Sequence, residues 1–171
     1  MESVESCTPE SQSALETGAL GGLLSFSPDT AGVVGKIILV AKCGTFAIYR
    51  LRCTYMRTLV LRFLFILMEN AMWIWVGDQK EVFEDLEAAF PVTFSGATGN
   101  KAVSTCLFSS DVDSSSSILA SKLATRLERP VFLSVNVDKA DGQMIMFIQK
   151  VLQEQSGLLL RPDVKRENAA D

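Results

Sequence analysis

Between Leu59 and Gly77 the chain reads LVLRFLFILMENAMWIWVG, two apolar runs broken by Glu69-Asn70. The β-branched and aromatic residues on either side of a central polar pair predict two strands and a two-residue loop rather than one helix. With that loop, Met68 faces Ala71, and the register sets Ile66 against Trp73, Phe65 against Ile74 and Leu64 against Trp75. One face of the hairpin then carries Phe63, Phe65, Leu67, Met72, Ile74 and Val76. The other carries Leu64, Ile66, Met68, Trp73 and Trp75, with Arg62 as its only charge. Period-2 alternation therefore separates no wet side from a dry one, and both faces need cover. Helices of the same chain supply one layer; a strand pair apolar on both sides points to a second layer or a partner molecule.

The 171 residues suffice for one domain with a sizeable core. A formal net charge of -4, from 16 basic and 20 acidic residues, gives no whole-molecule reason to expect nucleic acid as a partner. The charges are unevenly placed: the first thirty residues hold five acids and no base, whereas Lys36, Lys42, Arg50, Arg52, Arg57 and Arg62 occur between Asp29 and Glu69 without an acid. That middle block is suited to phosphates or anionic lipid. The four cysteines, Cys7, Cys43, Cys53 and Cys106, form no CxxC pair, and with no histidine in the chain neither a metal centre nor a cofactor is expected. The acidic, polar N-terminus does not read as a secretory signal, so reduced thiols in the cytosol or nucleus are expected.

Residues 1–30, rich in Ser, Glu, Gly and Pro, show no sustained period and read as disordered. The stretch AGVVGKIILVAKCGTFAI, Ala31 to Ile48, is apolar enough to raise a membrane span, but Lys36 and Lys42 would lie inside it, at about 3 kcal/mol each near the bilayer centre. No membrane partner is expected; a small membrane-associated protein using the basic apolar segment 31–62 is the alternative. Tyr49 to Thr58 alternates, with Leu51, Cys53 and Tyr55 on one side and Arg50, Arg52 and Thr54 on the other, as in a strand leading into the hairpin. Asp78 with Glu81 three residues on resembles a capping box, and Val82, Phe83, Leu86 and Phe90 fall on one helical stripe before Pro91, which predicts a helix covering the hairpin. Ala102 to Phe108 reads as a strand. Ser109 to Ser117, SSDVDSSSS, reads as a polar loop supplying N-caps to a helix striped by Leu119, Leu123 and Leu127. Val131 to Val137 is a strand turned inward by Val131, Leu133 and Val135. A last helix carries Met144, Ile145, Ile148, Val151 and Leu152 and is expected to stop at Gly157, with Met144 and Met146 in the core.

An enzyme needs titratable groups converging on a cleft. Asp111 and Asp113 beside Ser114, and Cys106 on its strand, are the candidates, yet without histidine no ordinary base activates either nucleophile. Cys106 is expected to be buried and inert among apolar neighbours. No catalytic residue and no metal ligand is assigned, and binding rather than catalysis is expected.

The ordered run WIWVG (Trp73 to Gly77), VSTCLF (Val103 to Phe108), the Asp/Ser-rich loop, LASKLATRL (Leu119 to Leu127) and VFLSVNV (Val131 to Val137) resembles the proteasome assembly chaperone 4 family, over about Arg62 to Gln155. The chain departs from the family at Ser109 and Ile118, where glycines are common, and Met1 to Gly44 has no counterpart. The resemblance implies an α+β domain over residues 45–157, a mostly antiparallel sheet with helices packed against it, between an N-terminal extension (1–44) and a flexible tail (158–171). It also implies a non-enzymatic chaperone that forms a heterodimer with a related assembly chaperone and helps arrange proteasome α-subunits. Candidate partner-binding residues are Phe63, Phe65, Trp73 and Trp75 on the hairpin, and Asp111, Asp113, Ser114 and Ser115 in the loop.

Overall fold

The structure, a computed structural model, describes residues 32–92, 101–109 and 115–161. Its centre is the hairpin of β4 (Leu59–Leu67) and β5 (Met72–Gly77), in the register expected: Ile66 pairs Trp73, Phe65 pairs Ile74 and Leu64 pairs Trp75. The turn closes where Met68 donates its backbone N–H to Ala71 O at 3.0 Å. β3 (Phe46–Tyr55) runs antiparallel to β4, and its far edge is shared by two short strands, β1 (Gly32–Val34) and β2 (Ile38–Cys43). On the other side β8 (Val131–Asn136) lies parallel to β5, followed by β6 (Asp85–Val92) and β7 (Lys101–Ser109) at the edge. The result is an eight-stranded, mostly antiparallel sheet ordered β1-β3-β4-β5-β8-β6-β7, with β2 also on β3.

Helices α1 (Ser116–Leu127) and α2 (Gly142–Leu159) pack on one face of this sheet. The core between the layers holds Leu51, Phe63, Phe65, Met72, Ile74, Val131 and Leu133 from the strands, with Leu119, Leu123, Phe147, Ile148 and Leu152 from the helices, none more than 2% exposed. Burying each such side chain stabilises the fold by roughly 1.5–3 kcal/mol. α2 reaches the β1–β3 side, where the Phe147 ring stands 5.4 Å from that of Tyr55. A Cβ on Gly32 would lie 2.2 Å from the Phe147 ring, so only glycine lets β1 come so close to the helix.

Residues 32–43, expected in an extension, thus form two strands of the sheet, and Val34, Ile37 and Leu39 pack against the core. Residues 1–31 lie outside the described residues. No described helix is long and apolar enough to cross a membrane.

The helix expected over 78–90 is absent, and β6 takes its place. Asp78 does not cap: its carboxylate accepts from Lys80 N at 2.8 Å and from Asp138 N at 3.1 Å, tying two turns together. Glu81 has φ 52°, left-handed and incompatible with the third position of a helix, and its side chain pairs with Arg62 instead of reaching back to a cap. Asn136 Oδ1 then accepts from Glu84 N at 2.7 Å and Asp85 N at 3.3 Å and starts the strand.

α2 also differs at its end. Asp141 caps it, accepting from Met144 N at 2.7 Å, but the helix runs through Gly157 to Leu159, because Leu159 (3% exposed) still has core to bury. Met144 is in the core, whereas Met146 points outward at 68% exposure.

Candidate protein interaction face

In a strand, alternate residues face opposite ways, so the register divides the sheet without ambiguity. The row Tyr49, Phe65, Ile74, Leu133 and Glu87 lies under the helices. The neighbouring row Ile48, Ile66, Trp73, Phe132, Ala88 and Thr105 crosses six strands on the opposite side, where neither helix packs. Phe46, Phe90 and Val103 extend this outer face, at 39, 43 and 58% exposure. Isolated exposed apolar residues are ordinary; a contiguous sheet of them marks an interaction site.

The chain covers one end of that face itself. Trp75 donates its indole N–H to Val82 O at 2.9 Å, holding the segment between β5 and β6 over the sheet. Phe83 from this segment packs at 5.9 Å from the Trp73 ring and 5.0 Å from that of Phe108, while Phe90 and Phe132 meet edge to face at 6.2 Å. Trp75 also accounts for the glycine that follows, since a Cβ on Gly77 would stand 2.2 Å from its ring. Beyond Trp75 the face turns basic. Arg50 is in register with Leu64, and Arg52 stands directly opposite Arg62.

The hairpin residues expected to bind a partner therefore divide. Trp73 and Trp75 lie half-buried on the outer face. Phe63 and Phe65 are interior, at 1% and 0% exposure with their rings 6.3 Å apart, and form the floor of the core rather than a docking surface. Asp111, Asp113 and Ser114 lie outside the described residues. Ser115 occupies the N-cap position of α1 without a side-chain cap bond.

Its two neighbours do more. Ser116 Oγ, fully buried, donates to Asp85 Oδ2 at 2.5 Å and accepts from Val135 N at 3.1 Å, and Ser117 Oγ meets Ser104 Oγ at 2.8 Å. Asp85 Oδ1 further accepts from Val135 N at 3.0 Å and Ser134 Oγ at 3.3 Å, and Asn136 donates to Ser134 Oγ at 2.5 Å. The end of the serine run is thus an internal lock between α1, β6, β7 and β8. The signal for it, a small polar residue inside a buried strand (Ser134) facing an acid at the start of another (Asp85), gains meaning only when their adjacency is known.

Cys106 is exposed rather than buried, on the edge strand β7. Its thiol is held above its ordinary range by local desolvation and by the Glu87 carboxylate, which favours the unreactive protonated form. Among the described residues no group of three or more cysteines and carboxylates is placed to hold a metal ion. On the helical side, a depression of about 440 Å³ is lined by Lys101, Ala102, Ser121, Lys122, Thr125 and Gln153.

The model of the family described as proteasome assembly chaperone 4 matches residues 60–137, from β4 through β8. The resemblance read from the order of the motifs therefore holds over β4 to β8, which carry the outer face except for its β3 side. Among solved structures, a chain from the crystal structure of a novel chaperone complex for yeast 20S proteasome assembly is similar at 16% identity, over 66% of this chain and 94% of that one, with a TM-score of 0.43. No curated protein matches.

Proposed function

We propose that this chain is a non-enzymatic proteasome assembly chaperone that acts in the cytosol or nucleus by pairing its outer sheet face with a related chaperone and binding α-subunits of the 20S proteasome. One observation carries the reading: an apolar row spanning five strands, from Ile48 to Ala88, has no helix over it among the described residues and lies largely in the stretch that matches the family. Helix on one side and open apolar sheet on the other is half of a four-layer assembly, completed when a second sheet stacks at about 10 Å. A stable pair needs roughly 800 Å² from each partner, an area that a face built on two tryptophans and several phenylalanines is suited to supply. The polar segment between β7 and α1, with Asp111, Asp113, Ser114 and Ser115, is left for the α-subunit.

Purification of the tagged chain from its own cells under gentle conditions should recover α-subunits and one small partner chaperone, without mature catalytic subunits. Ile66→Glu, which places a charge in the middle of the outer row without touching the core, should lose the partner while the chain stays folded. A folded Ile66→Glu chain that keeps its partner would count against pairing through this face, and recovery of membrane proteins alone would count against the chaperone role.

A further inference from the structure

Resting on that reading, we propose that Arg50 and Arg52 make the outer face selective for a non-identical partner whose own sheet face bears carboxylates, and against a second copy of this chain. Both side chains are exposed on the uncovered side of β3. Arg52 faces Arg62 directly across the β3–β4 ladder, an arrangement that disfavours the isolated domain because like charges stand opposite. Among the described residues one of the two is relieved: Glu81 pairs with Arg62, and neither Arg50 nor Arg52 has an acid partner there.

The segment that crosses the end of the face brings Glu81, which is taken by Arg62, and Glu84, which lies close enough to Lys80 to act on its charge, and the strands themselves offer the two arginines nothing. The carboxylates on the described strands are Asp85 and Glu87, 7% and 5% exposed, the first engaged by Ser116, Ser134 and Val135 N and the second on the helical side. If two copies stacked strand to strand, each would press two guanidinium groups into a surface whose strands carry no free carboxylate and whose nearest acid, Glu81, is already paired with Arg62, removing them from water without a counter-charge of their own. A partner with carboxylates in those places turns the same groups into bidentate, charge-assisted pairs. The apolar row then supplies adhesion, and the arginines decide to whom, by repulsion as much as by attraction.

The test uses the full chain and the partner chaperone that co-purifies with it. Arg50→Glu with Arg52→Glu should weaken that pairing by roughly 100-fold, and Lys at the facing carboxylates of the partner should restore it. Arg50→Leu with Arg52→Leu, which removes the two guanidinium groups that lack an acid partner among the described residues, should self-associate at least ~10-fold more tightly than the wild type in sedimentation equilibrium. Replacing Glu2, Glu5, Glu10 and Glu16 by Gln should change neither result. Pairing that survives the double reversal within about threefold, or a Leu double variant that associates no better than the wild type, overturns the proposal. So does an equal effect of the four Gln replacements, which would assign the arginines to the acidic N-terminal residues of the same chain. The Ile66→Glu variant separates the two levels: if it abolishes pairing while the double reversal does not, the paired face stands and the selectivity falls.

Discussion

Cys53 shows how far a single burial reaches. It lies on the helical side of β3, 1% exposed, and burial pushes its thiol from the ordinary 9.0 to about 12, against a smaller lowering by the backbone of Gly35. In the folded chain the proton stays on to about pH 12; in the unfolded chain it leaves near 9. Above pH 9 the unfolded state therefore binds fewer protons than the folded one, and stability falls as pH rises, by roughly 1 kcal/mol per pH unit up to about 12. Below pH 9 the thiol is protonated in both states and contributes no pH dependence. Tyr55 shifts in the same direction, by burial and then by Asp141, so the effect has to be isolated by difference. Urea unfolding at pH 8, 9, 10 and 11 should show wild type losing stability more steeply than Cys53→Ala above pH 9; parallel curves would mean that the thiol is open to water.

At the level of elements, the hairpin was legible and β6 was not, for one reason. The hairpin is local: its register follows from a two-residue loop and the side-chain alternation beside it. β6 is set by groups far away in sequence, Asn136 receiving the N–H groups of Glu84 and Asp85, and Val135 N and Ser116 Oγ donating to the Asp85 carboxylate. Leu86 and Phe90 are four apart and fit a helical stripe; with Ala88 they fit a strand equally well. Nothing within 78–90 decides between them. The same nonlocality hid the role of Ser116, which looked like one cap among four. Asp85→Asn tests the lock, because an amide that keeps one acceptor oxygen cannot satisfy Ser116, Ser134 and Val135 N together. A buried donor left unpaired costs about 1–3 kcal/mol, and loss of the charge weakens the remaining bonds, so a destabilisation of about 2–4 kcal/mol is expected by denaturant unfolding. Faster hydrogen exchange at Val135 N should accompany it. A loss below about 1 kcal/mol would make the network incidental.

For the whole molecule, the sequence announced that the hairpin has two apolar faces but could not say which one the chain keeps for itself. Phe63 and Phe65 were as eligible for a partner as Trp73 and Trp75 until the helices were placed; α1 and α2 lie on one side only, and that choice turns one apolar face into core and the other into surface. The extent of the domain depends on the same layering. β1 and β2 occupy the edge of β3, and Val34, Ile37 and Leu39 reach into the core beneath α2's side of the sheet, although residues 32–43 fall in the stretch without a counterpart in the resemblance and outside the family match. If these strands are part of the domain, a chain of residues 44–171 exposes the long β3 edge and forfeits three partly buried aliphatic side chains. At roughly 1 kcal/mol for each half-buried side chain, plus the edge hydrogen bonds, the loss should be about 3–5 kcal/mol. Against a total of about 5–15 kcal/mol for a domain, that is enough to lower the denaturation midpoint sharply and to promote association through the bared edge. Equal midpoints for residues 44–171 and the full chain would make β1 and β2 an ornament on a domain that is complete without them. A lower midpoint would mean that the folded domain includes β1 and β2, well before the stretch that matches the family.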